Sequence, residues 1–417
     1  MQLSLELAVY CLLIGAVLLH ITIEFLNLRN LTPEIPAALR DEFAVYFSGD
    51  RYTKSQNYLK DSTRLSLVQT LVTTPALIWF IRSAGFHHIN QFILGIGPRG
   101  FIVKGILFAG CVVILSSLLS LPFSIYKTFY IEQKYGFNKI TWHLFLTDLI
   151  KASVLGAILG SLAFGGILWF FVHAGPSAWF WAWTAFTLFQ IFLMFIAPVL
   201  IMPLFNRYTP LPPGELNDAI ADYARSQNFS LHGIYTMDGS KRSTKANAFF
   251  TGFGRYRRVV LFDTLIEQHS VEELVAVLAH EIGHFKKKHV TRQLILSIGA
   301  SFLMFFILSQ FLTLPAVYEA FHVEGTPLYA GFIFFSFFYA PLSEVISLYG
   351  LYLSRKFEFE ADDYAAQTFK RPVALITALK KLASQNLSNL TPHGLKVFTE
   401  YTHPPLAARI QNLRRFT

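Results

Sequence analysis

The sequence predicts a mainly α-helical, polytopic membrane protein, with seven spanning helices and a soluble-textured lobe that carries a short β-sheet. Three observations lead there. First, the 417-residue chain is 53% hydrophobic, holds 42 Phe, and is only 15% charged, against roughly a quarter charged in an average soluble domain. Polar groups cannot cover that much apolar surface in water, so the excess faces lipid. Second, seven apolar stretches approach the roughly 20 residues that a helix needs to cross the hydrocarbon. Third, the basic residues gather in alternate loops.

The stretches lie near 5–26, 65–81, 101–126, 145–172, 179–202, 290–314 and 328–353. The first lacks a basic leader and a small-residue cleavage site, so it reads as a retained helix. The loop after it carries Arg29, Arg40, Arg51, Lys54, Lys60 and Arg64, and the third loop carries Lys127, Lys134 and Lys139. The fifth loop and the tail hold most of the remaining bases, while the fourth and sixth loops hold none. The second loop, with Arg82, Arg99 and Lys104 near it, fits this pattern least. The positive-inside rule then places the N-terminus outside and the C-terminus in the cytoplasm. Residues 204–289 and 354–417 therefore share the cytoplasmic side and can form one domain. The expected organisation is five spans with their loops in 1–203, the first part of that domain in 204–289, two spans in 290–353, and its second part in 354–417.

Within the fifth loop, Pro210, Pro212, Pro213 and Gly214 mark a turn, and 215–227 reads as an amphipathic helix. Residues 246–251 and 258–262 are strand candidates split by Gly252 and Gly254. Ser270 and Glu273 form a capping box that opens another helix.

Composition also excludes function classes. The net charge of +9 comes with no nucleic-acid-binding motif. Cys11 and Cys111 both sit in apolar runs and offer neither a disulfide framework nor a Cys-x-x-Cys metal motif.

The chemistry lies inside the capped helix, in Leu278-Ala-His-Glu-Ile-Gly-His-Phe285. His280 and His284 are four apart, so both imidazoles leave one helix face and can reach one ion. Glu281 points around the helix, where it can touch a zinc-bound water without ligating the metal, as a general base must. Catalytic zinc takes three protein ligands and keeps one position open. The acidic stretch after the last span offers Glu358 and Asp362, four apart on a helix. One can ligate while the other accepts the N–H of a ligating histidine. Glu360 is the rival ligand but faces away from that side. A structural zinc would need a fourth ligand, and only His289 is close enough in sequence to raise the idea. Asp148 and Lys151, near the start of the fourth span, can pair across one turn or sit at the headgroups. Glu344 inside the last span is a functional candidate by default.

Several ordered blocks resemble one family. They are Glu132-Gln-Lys-Tyr-Gly-Phe-Asn138, Pro203-Leu-Phe-Asn-Arg-Tyr-Thr-Pro210, Asn247-Ala-Phe-Phe250, Val260-Leu-Phe-Asp-Thr264, the zinc helix, Ser354-Arg-x-x-Glu-x-x-Ala-Asp362, and His403-Pro-Pro405 with Arg409. Together they resemble the type I CAAX prenyl endopeptidases, seven-span zinc proteases that include the yeast a-factor-converting enzyme. The resemblance implies a zincin-like cytoplasmic metallopeptidase domain and seven helices around a hydrated chamber, with one zinc at its cytoplasmic end. It implies His280, His284 and Glu358 as zinc ligands, Glu281 as base, and Asp362 as partner of a zinc histidine. It also implies His403 as the group that steadies the oxyanion, with Arg409 in support. Asn247, with Ala248 and Phe249, falls on the substrate-binding strand, where an extended peptide would add by β-augmentation.

The expected activity is removal of the last three residues after a prenylated cysteine, or cleavage of a similar membrane-associated peptide. The alternatives are a membrane quality-control zinc protease and a non-enzymatic seven-helix transporter or receptor with structural zinc. The expected partners are the peptide substrate and the lipid bilayer, with no nucleic acid; oligomeric state is not legible. The expected location is a bacterial inner membrane, or the endoplasmic reticulum if the source is eukaryotic.

Overall fold

The computed structural model describes residues 2–97, 99–251 and 258–417. Among them, seven helices are long and apolar enough to span a bilayer: Leu5–Arg29, Arg51–Arg82, Phe101–Glu132, Trp142–His173, Gly175–Phe205, His289–Phe311 and Leu328–Phe369. They coincide with the seven apolar stretches, but several run on past them. The second starts at Arg51 because its polar first turns bury Tyr52, Ser55 and Gln56. The seventh is unbroken over 42 residues. At about 1.5 Å per residue it is about 63 Å long, twice the hydrocarbon thickness. Its apolar half crosses the membrane, and its polar half carries Glu358 and Asp362 into the lobe on the same rigid rod.

Each span touches the next in sequence, and the seventh returns to the first. The third and seventh spans also meet across this ring, and no more than 17% of any span's most apolar stretch is buried. One end is sealed where Phe86 of the second loop meets Phe321 of the sixth loop and Phe334 of the seventh span. At the other end the first, third and fifth loops and the tail all join the lobe. The lobe core draws Phe43 and Phe47 from the first loop, Leu261 and Leu278 from the fifth, and Leu375 and Ile410 from the tail. The first-loop contribution is a third piece of chain that the sequence reading had not assigned to the domain. The shared end fixes the parity of the spans.

The lobe holds one sheet: β1 (Tyr208–Pro210), β2 (Gly233–Met237), β3 (Ala248–Thr251) and β4 (Arg258–Phe262), in the order β1-β2-β4-β3. β2 and β4 are parallel and the outer pairs are antiparallel, so β3 is an edge strand. Gly252 and Gly254 lie outside the described residues. The amphipathic helix forms over Glu215–Ser226. The zinc-motif helix forms over Val271–Lys286 and opens on the expected capping box. Ser270 Oγ accepts from the Glu273 N–H, and Glu273 Oε2 accepts from the Ser270 N–H.

This helix lies against the polar half of the seventh-span helix in backbone contact. A Cβ on Gly283 would stand 3.1 Å from both Cα and O of Ala361. That is backbone, which cannot swing away as a side chain could. Gly283→Val should therefore push the two helices apart and cost about 1–3 kcal/mol by overpacking. Thermal unfolding together with metal content should show a lower midpoint and lost zinc, and a variant that kept both would refute the close-contact reading.

Candidate metal centre and active site

The zinc-motif helix places Nε2 of His280 and Nε2 of His284 3.1 Å apart. The seventh-span helix brings Glu358 to the same point, with Oε2 3.5 Å from His280 Nε2 and Oε1 3.3 Å from His284 Nε2. Donors held at about 2.0–2.1 Å from a tetrahedral ion lie roughly 3.3 Å from one another, so the triangle has the size of a zinc site. The charges agree. Glu281, Glu358 and Asp362 face Arg409, so three carboxylates meet one guanidinium and a dication balances the remainder. Without metal, burial opposes charge on His280, but Asp362 and Glu358 outweigh it and raise its pKa to about 9. A proton is drawn to where the cation belongs. The fit is good. A second candidate group, His20, Glu24 and Glu400, is already served by Lys396, which bridges both carboxylates.

Each histidine is held from behind. Nδ1 of His280 lies 2.8 Å from Asp362 Oδ1, so Nδ1–H donates and Nε2 keeps its lone pair for the metal. Arg409 grips Asp362 with two bonds of 2.8 and 2.7 Å, and its Nη1 stands 3.1 Å from Glu358 Oε2. One buried guanidinium therefore ties ligand to partner.

His284 has a relay of its own. Its Nδ1 is 3.0 Å from His289 Nδ1, and His289 Nε2 is 3.0 Å from Glu360 Oε2. With the proton on Nε2 donated to Glu360, His289 accepts from His284 Nδ1–H, which aims the His284 lone pair at the centre. The sequence reading had missed this. It weighed His289 only as a possible fourth ligand. The chain in fact breaks at Lys288, whose φ is +58°, and the turn folds His289 back onto His284. His289 is no fourth ligand, and Glu360 does not reach the centre.

Glu281 sits on the same helix, half-buried, and makes no hydrogen bond among the described residues. Burial pushes its pKa up, against the pull of His280 and His284. His403 is exposed, with Nε2 3.4 Å from Glu358 Oε1 and Nδ1 2.8 Å from the Thr402 hydroxyl. Its loop is pinned by a residue the sequence reading had passed over. Arg355, one turn before Glu358, donates to the carbonyls of Val397 and Tyr401 at 2.9 and 2.8 Å. Asn247, Ala248 and Phe249 lie apart from the metal triangle, on and beside the edge strand that packs against the zinc-motif helix. Asn247 accepts from the Ala248 N–H through its own side chain.

Asp148 and Lys151 do not pair with each other. Arg242 takes Asp148 with two parallel bonds of 3.0 Å each, a fork geometry that a lysine cannot match. Lys151 donates to the Leu204 carbonyl at 2.9 Å. Glu344 is exposed on the seventh span and meets no partner among the described residues.

Residues 210–417 match peptidase family M48, and residues 24–207 match the family described as CAAX prenyl protease N-terminal, five membrane helices. This chain belongs to peptidase family M48. A CAAX prenyl protease 1 homolog from Arabidopsis thaliana is 34% identical over 403 residues, covering 95% of each chain. CAAX prenyl protease 1 of Saccharomyces cerevisiae is 33% identical over 410 residues, covering 91% of this chain and 88% of its own. The crystal structure of S. mikatae Ste24p shares the fold at a TM-score of 0.92, with 30% identity over 98% of both chains. The M48 chain is a multi-pass membrane zinc metalloprotease.

The two relays make a prediction for metal affinity. Asp362→Ala and Glu360→Ala should each weaken zinc binding by about 10–100-fold, since each frees one ligating imidazole to turn. Competition against a chromogenic chelator measures this, and wild-type affinity in Glu360→Ala would remove the His284 relay.

Proposed function

We propose that this M48 protease cuts peptides held extended along β3, and that its substrates carry a prenylated cysteine near a C-terminal CAAX sequence. The observation behind the substrate class is similarity to proteins named CAAX prenyl protease 1 over nearly the full length of both chains. The observation behind the binding mode is the edge position of β3 among the described strands, beside the zinc-motif helix.

In this reading His280, His284 and Glu358 hold one zinc, which when bound supplies a Lewis acid for the scissile carbonyl and makes water more acidic. Asp362 and Arg409 fix the first histidine and the glutamate. Main-chain groups from Asn247 to Phe249 pair with the substrate strand and set its register. Glu281 takes the proton from the attacking water and delivers it to the leaving amine. Its unbonded carboxylate and burial-raised pKa suit both halves of that task. A neutral His403, accepting from Thr402 at Nδ1, donates from Nε2 to the developing oxyanion. The interior of the helix ring is water-filled and admits the substrate chain. The charge pattern supports an orientation with the N-terminus outside and the active site toward the cytoplasm.

Purified wild type and Glu281→Gln should each hold about one zinc per chain, and only the wild type should cleave a farnesylated CAAX peptide. Removing the metal with a chelator should abolish wild-type cleavage, and adding zinc back should restore it. Equal cleavage by the two forms would take Glu281 out of the mechanism. A zinc-loaded wild type that cuts unprenylated peptides alone would overturn the substrate class. Arg355→Ala should keep its zinc yet lose about 10–100-fold in kcat, because His403 drifts from its station. A loss of zinc in step with activity would show that Arg355 serves the fold instead.

A further inference from the structure

A cavity of about 360 Å³ lies on the sheet face turned away from the zinc-motif helix, between the sheet and the end of the fifth span. Alternation along the strands explains its lining. Val259 and Leu261 of β4 point into the lobe core, so Arg258 and Val260 point the other way. Tyr235 of β2 and Phe249 of β3 do the same. Met202 and Pro198 at the end of the fifth span close the apolar side.

Three features of the lining are unbalanced. Arg207 and Arg258 both line the cavity, and among the described residues neither pairs with a carboxylate. The Arg258 guanidinium lies 5.3 Å from the Tyr235 ring centroid. Asp238 is engaged by the main-chain N–H of Arg207 at 2.7 Å. Tyr208 also lines the cavity, and its buried hydroxyl has no hydrogen-bond partner among the described residues. A buried hydroxyl left unpaired costs about 1–3 kcal/mol. Two cations and an orphan donor at the rim of an apolar floor are complementary to a phosphate that carries an aliphatic tail.

Position selects the source of that phosphate. The cavity sits where the fifth helix leaves its apolar stretch, beside the polar band of Asp148, Arg242 and Lys151. Headgroups lie at that level of a bilayer. We propose that this cavity is a binding site for an anionic phospholipid. Arg207 and Arg258 hold the phosphate, the Tyr208 hydroxyl donates to it, and an acyl chain runs over Met202 and Phe249. The bound lipid braces β3 from the side opposite the zinc.

The test reconstitutes the full chain in vesicles of phosphatidylcholine, alone or with added phosphatidylglycerol. Its readouts are the thermal midpoint and the phosphatidylglycerol retained after detergent extraction, measured by native mass spectrometry. Wild type should gain stability with phosphatidylglycerol and keep a bound molecule. The double variant Arg207→Gln, Arg258→Gln should keep its zinc and its midpoint in phosphatidylcholine, yet retain about tenfold less phosphatidylglycerol, as expected for lost charge-assisted bonds. Tyr208→Phe gives a second, milder test. It should equal or exceed wild type in phosphatidylcholine, where the orphan hydroxyl is a burden. It should retain about three- to fivefold less phosphatidylglycerol. Equal retention by wild type and both variants would overturn the site. The same stabilisation by soluble inorganic phosphate would make it a free-anion site and overturn the lipid assignment.

Discussion

Two helices far apart in the chain lie in backbone contact at Gly283 and Ala361, and the metal centre exists because they do. One carries His280 and His284, and the other carries Glu358 and Asp362. The second is the continuation of a membrane span, so Glu358, the third candidate ligand, is mounted on the membrane part of the protein. A carboxylate at the end of a long, unbroken helix has little freedom to wander. The site gains the precision of a rigid element at the cost of placing a glycine inside a helix.

The contact is only half the constraint, because it also buries charge. Asp362 is fully shielded from solvent, and Arg409 and Glu358 are nearly so. Buried charges are tolerated only when each finds a partner of good geometry. Here one guanidinium spans two carboxylates, one of those carboxylates orients a histidine, and the remaining negative charge matches a dication. Breaking any member strands the others, so the cluster behaves as a unit, and single substitutions within it should not be additive.

Around this unit, cations latch the lobe to the membrane helices. Arg242 joins Asp148 of the fourth span to the stretch just ahead of β3. Lys245 reaches Glu132 and the Tyr58 hydroxyl, tying the third and second spans to the same stretch. Lys396 meets Glu24 of the first span at 2.6 Å, and Arg355 clamps the end of the short helix Gly394–Glu400 that carries Lys396. The blocks at 132–138 and 203–210 carry no chemistry of their own in the sequence. In the fold they hold the segment that leads into the edge strand. The first, second, third, fourth and seventh spans thus converge on the edge strand β3 and on the His403 loop.

Much of this was legible beforehand. Apolar run length gave the seven spans, since a bilayer of fixed thickness imposes fixed lengths. The capping box at Ser270 and the four-residue histidine spacing follow from helix geometry, which is local. The pairing of Glu358 with Asp362 could be read as a four-residue repeat, though which of them faces the metal could not. What stayed hidden depended on where the chain bends or what lies across a gap. The break at Lys288 turned His289 from a distant residue into the partner of His284, and Asp148 found Arg242 across 94 residues. Arg355 looked like one basic residue among many until the carbonyls it caps were in view. By itself the sequence determined the spans, the zinc helix and the donor set, because short-range periodicity and composition encode them. Only the tertiary structure decided which side chains stand behind each ligand, because those partners meet through packing between segments that no local rule connects.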